Sequence, residues 1–309
     1  MEKKTFTTLG LALCAMAASV TAAQTLLAAL VRAVRPLWAA QPWFLLALVP
    51  VFYFLGAPLF YLLVRRLPRE TRTEKRPLSF WHFAGVFCLA MALVYIGSWV
   101  GLLVTSMLAP LFGGSTLNPV ADIISGNSLW LIVLIVGILS PLAEELVFRK
   151  LLLDRLRPFG DRVAILYSAL AFALYHMNFS QFFYAFLVGC LLAYVALRTN
   201  SFFFPAALHS LVNLVGSVLM PLLLGDATNA DLTDPTALLT PQLLAAVLLL
   251  TVFFVGALAD ILANRRRFAL QPARWRFSVP VDGRLILLNA GSLLYIAGCL
   301  VFFFFSLAV

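Results

Sequence analysis

Long apolar runs separated by short polar connections dominate this chain of 309 residues. A bilayer core is crossed by roughly 20 apolar residues in a helix. Inside it every backbone N–H and C=O needs an internal partner, so each such run must become a helix. Nine runs meet or approach that length: 8–31, 43–64, 80–110, 128–153, 162–177, 181–197, 202–224, 241–263 and 285–308. They predict an all-α, polytopic transmembrane helical bundle. The fifth and sixth are short and joined through Asn178, Phe179, Ser180 and Gln181, so that pair could be a deep hairpin that does not fully cross. Composition agrees: 63% of the residues are hydrophobic and 11% charged, against about 25% charged in a soluble domain. Such a chain cannot cover itself with a polar surface. A soluble enzyme, a disulfide scaffold, a disordered tail and a nucleic-acid-binding domain are all excluded as readings.

The formal charge of +9 has a membrane explanation, because cytoplasmic loops collect Lys and Arg. Alternating sides from an inside N-terminus puts 20 of the 22 Lys and Arg on the cytoplasmic side. The topology expected is nine spans, N-terminus in and C-terminus out. The loop after the third run and the loop with Asp226, Asp231 and Asp234 have no basic residue and fall outside. Glu2-Lys3-Lys4, an apolar stretch and Val20-Thr21-Ala22 resemble a cleavable signal ending near residue 22. The run continues to Val31, which favours an uncleaved anchor. Cys14, Cys88, Cys190 and Cys299 lie far apart in apolar runs and read as small hydrophobes. The motifs described next divide the chain into 1–127, 128–224 and 225–309.

Well inside a run, the only acidic residues are Glu144 and Glu145. A charge at a helix centre costs about 2.5–3.5 kcal/mol on insertion scales, so an intramembrane ionisable cluster is by default a functional site. Glu145 and Arg149 are four residues apart and can pair on one face. Glu144 is turned about 100° away and has no basic partner on its own helix. A helix-packing salt-bridge cluster is the plainer alternative. Of three histidines, His82 stands beside Trp81 at a run's mouth and reads as interfacial. His176 ends the fifth run. A hairpin turning near Gly160 brings it to the depth of Glu144. His209 and Asn213 share one face of the seventh run, where Asn213 could simply link two helices. Together these residues hold a base, a partner to tune it and donors for an oxyanion.

Three blocks of these residues resemble the CAAX protease and bacteriocin-processing family of intramembrane endopeptidases, related to type II CAAX prenyl endopeptidase. They are Glu144-Glu145-Leu146-Val147-Phe148-Arg149, Phe172-Ala173-Leu174-Tyr175-His176 and His209-Ser210-Leu211-Val212-Asn213. The resemblance implies hydrolysis of a peptide bond in a membrane-associated protein or peptide. Glu144 and His176 would activate the water. His209 and Asn213 would hold the oxyanion, and Glu145 and Arg149 would support the site. Members of the family have been called metalloproteases, and Glu144, His176 and His209 could hold a zinc ion; the expectation here is glutamate catalysis with no cofactor, with zinc as the alternative. No His-Glu-x-x-His helix is present. A proton-coupled transporter and a non-enzymatic immunity or scaffold protein are rivals from other classes. The expected partners are the bilayer, with anionic lipids considered at the 264–284 loop, and the substrate, prenylated or a bacterial peptide. Nucleic acid is not expected. A bacterial cell membrane is the expected location.

Overall fold

The computed structural model describes residues 2–70, 76–113, 126–225, 240–265, 268–273 and 282–308. Among the described residues the regular structure is helical. The main helices are α1 Glu2–Val34, α2 Trp43–Val64, α3 Phe80–Phe112, α4 Leu129–Phe159, α5 Asp161–Tyr175, α6 Phe179–Thr199, α7 Phe203–Leu224, α8 Pro241–Asn264 and α9 Ala290–Phe305. Each expected run is therefore a helix, with shifted ends. Seven are long and apolar enough to cross a membrane. The exceptions are α5, with 15 residues, and α9, with 16. The count of nine spans is thus only approximate. The sixth run, read as short, is a full 21-residue helix. It gains its first turn because Asn178 caps it, its side chain accepting from Gln181 N at 2.9 Å.

One apolar core runs from Phe6 and Leu9 on α1 through Phe148 and Phe172 to Phe303 on α9, so it draws on all three segments read from the motifs. Helices α1 and α9 cross at Gly10 and Gly291: a Cβ on Gly10 would overlap the backbone of Gly291 and Ser292, and one on Gly291 the backbone of Thr7 and Leu11. Small residues let membrane helices approach this closely, replacing the hydrophobic drive that lipid cannot supply.

Backbone hydrogen bonds tie the connections at one end of the bundle. Glu70 N donates to Asp154 O at 2.9 Å, Arg76 N to Thr199 O at 3.0 Å, and Asp161 N to Gln271 O at 3.0 Å. Phe6 lies against Phe159 at the same end, 4.8 Å between ring centroids. Arg65, Arg66, Arg69, Arg76, Arg155, Arg157 and Arg198 flank these connections, so the charge pattern and the fold group the same segments. Buried Asp154 there forms ion pairs with Lys150 at 2.8 Å and Arg157 at 3.1 Å. At the other end Phe304 meets Phe112 at 5.6 Å. The acidic loop and much of the 264–284 loop lie outside the described residues.

Candidate active site

The Glu pair lies between two stretches of α4 that widen to i→i+5 hydrogen bonding, Ile132–Leu139 and Leu146–Leu152. Such widened turns recur at functional sites. Sequence explains the first. Ser140 N donates five residues back to Ile135 O. The next bond in that register would run from residue 141 to Val136 O, but Pro141 has no N–H. Asn213 fills the vacancy: its Nδ2 donates to Val136 O at 3.0 Å. Gly137 admits the approach, since a Cβ there would stand 2.5 Å from Leu214 Cδ2. Asn213 therefore bridges α4 and α7, as the plainer reading of that residue had it. One of its two amide hydrogens is used in doing so.

Glu145 is fully buried and faces Arg149 at 3.3 Å, as the four-residue spacing predicts. The contact is an ion pair without hydrogen-bond geometry, and Arg149 Nη1 and Nη2 have no hydrogen-bond partner among the described residues. The guanidinium instead stacks over Phe172, 4.6 Å from the ring centroid, a cation–π contact that gains strength away from water.

His209 stands between the two carboxylates. Its Nδ1 is 3.0 Å from Glu145 Oε1 and its Nε2 is 3.7 Å from Glu144 Oε2. Glu144 thus has no basic partner on its own helix but meets one from α7, which spacing along α4 could not reveal. His176 Nδ1 donates to Phe172 O at 3.0 Å, leaving Nε2 as its remaining acceptor. No hydrogen bond or ion pair joins Glu144 to His176 among the described residues. What relates the two histidines is the Phe172 ring, 4.8 Å from His176 and 5.6 Å from His209, edge-on to both.

Glu144 keeps 19% of its side chain accessible and opens into a cavity of about 200 Å³. Its walls include Gln24 of α1, Tyr53 of α2, and Ser140, Tyr175 and Met177. Tyr53 and Ser140 share a hydrogen bond at 2.8 Å. Gln24 and Tyr53 lie outside every motif, and nothing in the spacing of the three blocks could have found them. Met177 closes α5 with φ 55°, a left-handed residue of the kind that ends helices, though glycine is usual there. The zinc alternative puts Glu144, His176 and His209 on one ion. Three ligands would have to converge within about 2.0–2.2 Å of one point. Among the described residues no three His, Cys, Asp or Glu side chains are grouped to hold a metal.

Fold and site together define an integral, polytopic helical membrane protein with an ionisable cluster on α4, α5 and α7. Residues 126–215, which contain all six site residues, match the family model described as type II CAAX prenyl endopeptidase Rce1-like. UPF0177 protein YxdF of Lactococcus lactis subsp. lactis (strain IL1403) is 37% identical over 90 residues, 29% of this chain and 50% of that protein. The match thus spans half of that curated relative's length. No solved structure matches. The resemblance read from the three motifs holds over 126–215, and this segment is Rce1-like.

Proposed function

We propose that this chain is an intramembrane endopeptidase that hydrolyses a peptide bond in a membrane-associated protein or peptide. The observation that carries the reading is the placement of His209 between Glu145 and Glu144, with Glu144 open to the cavity. A carboxylate in apolar surroundings is a stronger base, and a water beside Glu144 is the nucleophile. The water oxygen attacks the amide carbon while Glu144 takes its proton. His176 is the second group on that water, receiving through Nε2. His209, protonated on both nitrogens and steadied by Glu145 through Nδ1, turns its Nε2–H to the oxyanion. The second amide hydrogen of Asn213 assists. The C–N bond then breaks as the proton held by Glu144 passes to the leaving nitrogen; the new carboxylic acid gives its remaining proton through His176 Nε2 to the amine, and a carboxylate and an ammonium are released. Glu145, Arg149 and Phe172 keep the two imidazoles oriented. The reaction as proposed uses no metal.

The family description supports the endopeptidase class. The lactococcal relative and the grouping of basic connections support a bacterial cell membrane with the N-terminus cytoplasmic. Comparative peptidomics of cells carrying wild-type or Glu144→Ala protein at equal abundance tests the reading. Peptides present only with the wild type are expected. Identical peptidomes, together with no hydrolysis by purified protein, would sink it.

A further inference from the structure

A second polar group lies outside the candidate active site, at the end of the bundle where the basic connections meet. His82 Nδ1 of α3 is 2.8 Å from Asp260 Oδ1 of α8, and Asn264 Nδ2 donates to the same oxygen at 2.8 Å. Gly85 makes the contact possible, since a Cβ there would stand 2.6 Å from Asp260 Oδ1. The carboxylate is thereby occupied by two partners and largely covered, with 10% of its side chain accessible. His82 Nε2 has no hydrogen-bond partner among the described residues.

These residues line one side of a cleft of about 540 Å³. Arg76, Arg198 and Arg265 line the same cleft, and Leu89, Leu191 and Val195 continue it as an apolar wall. A second groove of about 640 Å³ runs beside it, almost wholly apolar, with Arg162 on its lining. Leu191, Tyr194 and Phe268 are common to both. Tyr194 and Phe268 stack there at 4.7 Å and 29°. The segment that carries Phe268 is fastened to α5, with Gln271 N donating to Asp161 Oδ2 at 2.9 Å.

We propose that this cleft binds an anionic phospholipid, its phosphate on Arg198 and Arg265 and its two chains in the grooves either side of the Tyr194–Phe268 stack. Charge complementarity selects the head group: among the described residues Arg198 and Arg265 line the cleft, and its one carboxylate there, Asp260, already meets His82 and Asn264. Basic pockets between membrane helices on the cytoplasmic side hold such head groups. Arginine suits the role because its planar fork matches phosphate oxygens and its stem lies along apolar surface. Two adjacent apolar grooves match two chains, which a soluble phosphate would leave empty.

The test is native mass spectrometry of the delipidated full chain with phosphatidylglycerol, phosphatidylcholine of the same chains, or glycerol 3-phosphate alone. Wild type is expected to retain one phosphatidylglycerol in clear preference to phosphatidylcholine, and no glycerol 3-phosphate. The double variant Arg198→Gln/Arg265→Gln is expected to lose about 25-fold of that preference, about fivefold for each arginine. The charge-preserving Arg198→Lys/Arg265→Lys keeps most of it. Melting in phosphatidylcholine, unchanged between the variants, separates loss of binding from loss of fold. Equal retention of the two lipids by wild type, or an undiminished preference in the Gln variant, overturns the proposal. Tight binding of glycerol 3-phosphate alone overturns it in favour of a soluble phosphate ligand.

Discussion

Among the described residues two histidine–carboxylate contacts are of nearly equal length, and their surroundings differ. His209 meets Glu145 at 3.0 Å and His82 meets Asp260 at 2.8 Å. In the first, His209 is 7% accessible and Glu145 fully buried. An arginine, an aromatic ring and a second carboxylate surround them. In the second, His82 is 29% accessible and faces a cleft lined by arginines at the basic end of the bundle. The short distance is therefore no guide to role. Surroundings decide it: a buried charge keeps most of its Coulomb energy, whereas a half-exposed one is screened and gains little. In the proposals above, the first environment serves proton transfer to a reacting group, and the second occupies a carboxylate beside the arginines that meet an anion.

Four measurements would break or sharpen this contrast. The largest effect is expected for Glu144→Gln, which removes the base and keeps the shape. Peptide hydrolysis by purified protein should fall by about 10²–10⁴-fold, the usual share of a general base, with the melting temperature nearly unchanged. Wild-type turnover in this variant would remove Glu144 from the chemistry.

Asn213→Ala comes next and separates two roles of one side chain. If Asn213 also donates to the oxyanion, the catalytic rate should drop by about 10²–10³-fold. If it only bridges to Val136 O, the cost is stability alone, about 0.6 kcal/mol on average for an interhelical polar contact. Rate and melting measured on the same preparation distinguish them, and a rate within a few-fold of wild type would confine Asn213 to the bridge.

The buried ion pair is third. Arg149→Met and Glu145→Gln should each destabilise by about 3–5 kcal/mol, because each strands the other group in a dry site. The double variant should lose much less than the sum. Additive losses in a double-mutant cycle would mean that the 3.3 Å contact carries no coupling. The smallest effect belongs to the other pair: a cycle between His82→Gln and Asp260→Asn should give a coupling of no more than about 1 kcal/mol, as for other partly exposed pairs. A coupling as large as that of Glu145 and Arg149 would erase the difference between the two environments.

Much of this was legible from the residues. Run length located each of the nine main helices, because lipid leaves the backbone no alternative. Four-residue spacing paired Glu145 with Arg149, because both lie on one helix face. Hydropathy did not decide which helices are long enough to cross. The run at 285–308 loses its first residues to a short helix at Gly283–Leu287, and α9 begins only after Asn289 caps it. The reading of His82 as an interfacial residue also missed its partner, 178 positions away.

What the sequence by itself determined is the set of contacts that one helix makes with itself, along with the class of solvent each helix meets. The helical repeat fixes the first and apolar length the second, and neither depends on a neighbour. Only the tertiary structure decided how the helices are rotated against one another. That rotation puts His209 between Glu144 and Glu145, and sends Asn213 to the carbonyl that Pro141 leaves without a donor. It also brings Gln24 and Tyr53 from the motif-free helices to the wall of the cavity at Glu144. Membrane helices find their rotation through close packing at small residues such as Gly10, Gly85, Gly137 and Gly291. The outcome depends on two surfaces fitting together, which no periodicity within a single run encodes.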